Sequence, residues 1–242
     1  MRIPILSFSV IFCLVVILGC GDTGGGGGGN PLGQSRDRGA RAASEANLKQ
    51  IGLAMHNYAA THNGQFPPWA HYNHQGQPTL SWRVLILPEL GQNNLFRMFR
   101  LNEAWDSPSN MKALKLMPKF YRSQASRAGD TMTHYRIFTG PQTPFPIGPR
   151  RQLRLSQLTN ADGAANTVLV VESAQAVPWT KPEEFVYANN RPLPKLGGLY
   201  AGSNGFLVVM ADTAVHFVRE NVPESTIRLG IAYNDGRPFP GW

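Results

Sequence analysis

The sequence predicts an α+β domain with an antiparallel sheet, several short helices and long loops. Three observations carry this. Helical periodicities fill the first half of the chain and β-branched runs the second, the order expected when helices and sheet are built as separate blocks. Hydrophobic residues are 42% and charged residues 16%, which excludes wholesale disorder and leaves ample material for a core. Gly 25 and Pro 19 in 242 residues exceed ordinary usage without reaching low complexity, so the domain is rich in loops. The same composition excludes a polytopic membrane protein, a coiled coil and a disulfide scaffold.

The first element is an address. Arg2 precedes an apolar stretch from Ile3 to Leu18, and Gly19-Cys20 follow. A positive n-region, an apolar h-region and a small residue before the cleavage point describe a secretory signal over 1–20. Ile17-Leu18-Gly19-Cys20 resembles a bacterial lipobox, with Cys20 as the acylated thiol. The expected locale is therefore the cell envelope, with the protein exported and anchored to membrane through lipid on Cys20. Cys13 leaves with the signal, so the mature domain is expected to hold no disulfide although export would permit one. Residues 21–34 contain Gly24 to Gly29 and read as a flexible tether with a mean span of roughly 20 Å.

The domain is expected over 35–242. Leu48, Ile51, Met55 and Tyr58 recur at helical spacing with Ala54 beside them, so Ser35 to His62 is a helix with one apolar stripe. Asn63-Gly64 supplies a left-handed stop, and Pro67-Pro68 prevents continuation. Pro88 suits the first turn of a short helix carrying Leu90, Leu95, Phe96 and Phe99. Ser107-Pro108 reads as a cap and first helical residue ahead of Met111, Leu114 and Met117. His134 to Thr139 reads as a strand, and Pro141 to Pro149 as a rigid loop. Val168 to Val171 is a buried strand. Phe206 to Met210 and Val215 to Val218 form a hairpin. Pro223 to Ala232 closes the chain with a short helix.

These segments resemble a family in combination. Asn47-Leu48-Lys49-Gln50-Ile51-Gly52-Leu53-Ala54-Met55-His56-Asn57-Tyr58, Phe66-Pro67-Pro68 and Ser81-Trp82-Arg83-Val84-Leu85-Ile86-Leu87-Pro88 come first. Trp105-Asp106-Ser107-Pro108, Asp162-Gly163 through Asn166-Thr167, Val177-Pro178-Trp179-Thr180-Lys181-Pro182 and the region around Asp212 follow in order. The chain resembles domain-of-unknown-function family 1559, which is expanded in planctomycete bacteria and marked by a C-terminal H-x9-D-G motif. The resemblance implies a type IV pilin-like fold, in which one long N-terminal helix packs on an antiparallel sheet. Members begin with a prepilin segment, and this chain has a lipobox and a glycine tether there. The C-terminal motif is degenerate: Asp212 stays, Gly202 stands at the motif's His and Thr213 at its Gly. Asp-Gly suits a tight turn needing positive φ, so Asp212-Thr213 is expected to adopt a different turn.

Candidate chemistry is sparse. His71 and His74 form an H-x2-H pair, but a structural zinc site wants four ligands, and the pair reads as a solvated loop, so no metal is assigned. His134 and His216 read as satisfied or surface sheet positions. No G-x-S-x-G elbow occurs. Glu172 and Asp212 each end a strand and stand as an acid/base dyad against simple hydrogen bonding. Trp82, Trp105 and Trp179 read as core, with a ligand- or partner-binding groove as the functional alternative and Trp179 as its best candidate.

The formal charge is +8, with denser bases at Lys112, Lys115, Lys119, Arg122 and Arg127 and at Arg150, Arg151 and Arg154. In an exported protein these read as attraction to anionic headgroups rather than nucleic-acid binding. The expected function is a non-enzymatic, lipid-anchored, pseudopilin-like structural or interaction module without cofactor, acting beside envelope or secretion machinery. The alternative is a solute- or glycan-binding lipoprotein.

Overall fold

The computed structural model describes residues 31–200 and 204–242, and of Pro31, Leu32 and Gln34 the backbone alone. The signal, Cys20, most of the tether and Gly202 lie outside the described residues. The chain starts with α1 (Pro31–Thr61), so helix begins four residues before Ser35 and takes in the end of the expected tether. Its last turn closes on Asn63 at φ 54° and Gly64 at φ 76°, with the Gly64 N–H returned to the Ala59 carbonyl at 2.8 Å. This is the left-handed stop the sequence predicts.

A hairpin of β1 (Ala70–Tyr72) and β2 (Pro78–Ser81) follows, then α2 (Trp82–Leu85), α3 (Asn93–Phe96) and α4 (Asn110–Leu114). The helix predicted from Pro88 is broken. Residues 88–90 make one 3-10 turn, and Gly91 at φ 72° ends it before α3 starts. At α4 the predicted cap works one residue pair early: Ser107 Oγ accepts the Asn110 N–H at 3.2 Å, while the regular helix begins at Asn110.

The main sheet holds β3 (Met132–Arg136), β5 (Val168–Pro178), β7 (Gly205–Met210) and β8 (Val215–Arg219), in the order β3-β5-β7-β8 and antiparallel throughout. The predicted strand from His134 to Thr139 divides at Ile137. β4 (Phe138–Thr139) leaves the sheet and pairs in parallel with β6 (Phe185–Val186). Between β4 and β5 lies α5 (Leu155–Thr159), and after β8 comes α6 (Glu224–Ile231).

The sheet is covered on both faces, which is why its strands read as unbroken apolar runs. On one face Leu169, Leu207 and Val209 meet Leu48, Ile51, Ala54 and Met55 of α1. On the other Val168, Val171, Phe206, Val208 and Met210 meet Ile231 of α6, Tyr187 and the tail residues Phe239 and Trp242. The register shift between Val168 and Val170 lets Leu169 and Val170 both serve the α1 side. The fold is thus α+β, with its long helix on an antiparallel sheet.

Candidate functional site

The helix motif of α1 is built around the β7–β8 turn. Lys49 Nζ donates to the Thr213 carbonyl at 3.0 Å and to Thr213 Oγ1 at 2.9 Å. One turn on, a Cβ at Gly52 would stand 2.9 Å from Val209 Cγ2, so only glycine lets helix and strand approach this closely. A further turn on, His56 Nε2 lies 2.6 Å from the Ala211 carbonyl. The carbonyl only accepts, so His56 carries its proton on Nε2. Asn47 reaches the other way and donates to the Arg122 carbonyl at 3.0 Å. The spacing of Lys49, Gly52 and His56 places all three on one helix face.

The turn itself corrects an expectation. Thr213 sits at φ 71°, the left-handed conformation that Asp-Gly would adopt, so the turn is kept and threonine is forced into the glycine's place. Asp212 Oδ1 accepts the Ala214 N–H at 2.8 Å, closing it.

Asp212 and Glu172 do not form a dyad. Val168 is paired with Met210 beside the turn, and Glu172 lies four residues further along β5, roughly 13 Å at ~3.3 Å per residue. Glu172 is instead sealed under α1. Both its oxygens accept the Tyr200 hydroxyl, at 2.8 and 3.0 Å, and Oε2 accepts the Leu207 N–H at 3.1 Å. Burial, only partly offset by these bonds, pushes its carboxyl up to about 7.

A second buried polar centre joins α2, the end of β3 and the residue before β6. Arg83 of α2 has no exposed surface. Its Nη1 lies 2.8 Å from Glu184 Oε1 and 2.7 Å from Ser81 Oγ, and its Nε and Nη2 donate to the Tyr135 carbonyl at 3.0 and 2.6 Å. Trp82 Nε1 donates to Glu184 Oε1 at 3.0 Å, and the Ile137 N–H to Oε2 at 2.9 Å. Burial raises the Glu184 carboxyl, and Arg83 and Arg136 oppose that rise. Arg136 is buried too; its Nη2 donates to the Glu183 carbonyl at 2.9 Å, and its guanidinium lies 3.9 Å from the Phe185 ring centre. Sequence reasoning missed this set. Its signal was there: an arginine inside the apolar run Trp82 to Leu87 must find a partner when that run is buried.

Trp82 and Trp179 have no exposed surface, so neither offers a ring to a ligand or partner. Trp179 stacks on Tyr121 at 5.6 Å, meets Phe99 edge-on at 5.7 Å, and donates from Nε1 to the Leu114 carbonyl at 2.8 Å. Pro178 and Pro182 suggested an open loop, but the Trp179 N–H is tied to the Thr131 carbonyl at 3.0 Å. Trp105 is half-buried, with the Lys181 ammonium 5.6 Å from its ring centre.

The histidines separate. His134 is buried in β3. Its Nδ1 donates to the Ser173 carbonyl at 2.9 Å, and Nε2 accepts from Ser126 Oγ at 2.8 Å; burial lowers its pKa. His216 is exposed on β8. His71 lies in β1 rather than in a loop, its Nδ1 3.0 Å from Thr79 Oγ1, and His74 is exposed at the hairpin tip. Among the described residues no three His, Cys, Asp or Glu side chains group as metal ligands.

These features define a class: an α+β domain in which a long N-terminal helix is bonded through its own polar side chains to an antiparallel hairpin, over two buried polar centres. Residues 35–136 match the family SBP_bac_10, described as protein of unknown function (DUF1559), so the resemblance read from the sequence is shown over that stretch. The matched stretch holds Lys49, Gly52, His56, Trp82 and Arg83, and ends at Arg136 in β3. No curated protein and no solved structure matches the chain.

Proposed function

We propose that the protein is a non-enzymatic, pseudopilin-like interaction module of the cell envelope, anchored by lipid on Cys20, that offers the N-terminal third of α1 to a protein of the secretion or surface-assembly machinery. The observation that carries this is the division of labour along α1. From Ala40, which packs against the core, and Arg41, which lies over Phe217 of β8, the helix is fastened to the domain, and Lys49, Gly52 and His56 are all committed to holding it there. Before Ser44 none of the described side chains is buried, although helix of about 1.5 Å per residue continues back to Pro31. Glu172, a carboxylate raised by burial, is enclosed and saturated by donors from its own domain, an arrangement that suits packing better than proton transfer to a substrate.

The test places a photo-crosslinking residue at exposed Arg38 in the full-length protein, in cells, with exposed Arg237 as the control position. A discrete adduct with one envelope protein from position 38, absent from 237, is the expected result. Equal labelling at both positions, or none at 38, overturns the reading. A second reading, ligand binding, is favoured by a groove at the β1–β2 hairpin.

A further inference from the structure

That groove, of about 560 Å³, runs between the tip of the β1–β2 hairpin and the segment 149–152. Its size falls within the range of small-molecule sites, about 300–1,000 Å³. The walls are pre-built. The Tyr72 hydroxyl accepts from Trp69 Nε1 at 2.8 Å and from the Gly148 N–H at 3.0 Å, which pins the second wall to the hairpin. Asn73 is spent on the tip: Oδ1 accepts the N–H groups of Gln75 and Gln77 at 3.0 and 2.9 Å. Gln152 donates to the Phe66 carbonyl at 2.9 Å. His71 is fixed through Thr79, which donates in turn to the Leu101 carbonyl at 2.7 Å.

Two polar side chains in the groove have no such employment among the described residues: the Arg150 guanidinium and the His74 imidazole. Among the described residues no acidic side chain lines the groove, and Arg151 and Arg154 follow in the chain. Arg150 is also held at φ 61°, a conformation that side-chain-bearing residues adopt at a cost and that is concentrated at functional sites.

We propose that this groove binds an organic oxyanion, a phosphate, sulfate or carboxylate carried on a small polar body, with Arg150 as its anchoring cation and the His71 and His74 imidazoles beside it. A guanidinium pairs with two oxygens of such a group at once, which a lysine would not do. The volume asks for a body larger than a bare ion. The headgroup of an anionic lipid and a soluble sugar phosphate share this chemistry. The proposal does not depend on the interaction module proposed above, since α1 contributes nothing to the groove.

The experiment is calorimetric titration of the full-length protein with glucose 6-phosphate and with inorganic phosphate, and flotation with phosphatidylglycerol vesicles. Arg150→Gly is the test variant, because it removes the cation and relieves the positive φ, so folding is not at risk. Arg127→Gly, an exposed cation elsewhere, is the control. Saturable binding of the sugar phosphate, weakened about tenfold or more by Arg150→Gly and unchanged by Arg127→Gly, supports a soluble ligand. Vesicle binding with the same dependence, without binding of the sugar phosphate, assigns the oxyanion to a headgroup. Binding that both variants weaken equally, or no binding of any probe, overturns the proposal.

Discussion

Thr213 occupies a backbone conformation that its own side chain opposes. At φ 71° an L residue is disfavoured by roughly 1–2 kcal/mol, and a β-branched one is among the worst placed. The hydroxyl gives something back, since it accepts Lys49 Nζ at 2.9 Å, but Lys49 also holds the Thr213 carbonyl. Asparagine tolerates the left-handed region and keeps a side-chain acceptor for the ammonium. Thr213→Asn is therefore expected to stabilise the domain by about 1 kcal/mol, raising Tm by about 2–4 °C in thermal denaturation. Thr213→Gly relieves the same strain, but loosens the unfolded chain by about 0.5–1 kcal/mol and deletes the hydroxyl, so it should fall below the asparagine variant. A lower Tm for Thr213→Asn than for the native protein would show that the turn is not strained. At this scale the sequence was half legible. The periodicity of Leu48, Ile51 and Met55 marked the buried stripe, and all three are fully buried. The roles of Lys49, Gly52 and His56 were not readable, because spacing says which residues share a helix face but not what that face meets 155 or more positions later.

Between residue and fold, the informative unit is β5 with the segments that close over Glu172. β5 supplies the carboxylate, β7 a backbone donor at Leu207, and the segment before β7 the Tyr200 hydroxyl. The charged form is held without a cation among these partners, so burial dominates and the carboxyl titrates at about 7 against an ordinary 4.5. The folded state thus keeps a proton that the unfolded chain has already released. Stability from this group is present at low pH and is lost as pH rises from about 4.5 to about 7, after which it stays low. The size is about 3 kcal/mol by linkage. His134 acts in the opposite sense, since burial lowers its pKa, so the native curve alone mixes the two. Urea denaturation of the native protein and of Glu172→Gln at pH 5 and pH 8 separates them. The native protein is expected to lose about 2.5 kcal/mol relative to the variant between those pH values; parallel losses would place the titration elsewhere. Elements of this kind were legible in kind more than in extent. Val168 to Val171 announced β5, but its continuation through Ser173 and Gln175 carries no strand signal and is held by pairing of Thr133 with Val177. β1 and β2 were missed because three and four residues are too few to show alternation. The helix from Pro88 failed at Gly91, whose left-handed conformation ends a helix whatever apolar residues follow.

On the scale of the whole molecule, the order of parts along the chain is itself an argument: Cys20, a glycine run, then a helix whose first third is not buried. Two forces would hold such a molecule to a membrane. One is the acyl chains, worth about 0.8 kcal/mol per buried CH2. The other is the excess of basic residues, +8 in the full sequence, worth up to about 1 kcal/mol per base very near an anionic surface. Salt separates them. Charge acts within about a Debye length, ~8 Å at physiological ionic strength, whereas acyl burial does not depend on screening. Under the proposed acylation of Cys20, lipid would do most of the holding. Cys20→Ser is expected to abolish fatty-acid labelling and to move the protein from the membrane to the soluble fraction at physiological salt. At about tenfold lower salt, where the Debye length grows to about 25 Å, part of the variant should return to membranes through its charge. Unchanged labelling and fractionation of Cys20→Ser would refute the lipobox. Release from the membrane only at high salt would instead give the anchoring to charge, and would shift attention from the first third of α1 to the basic residues around Arg150.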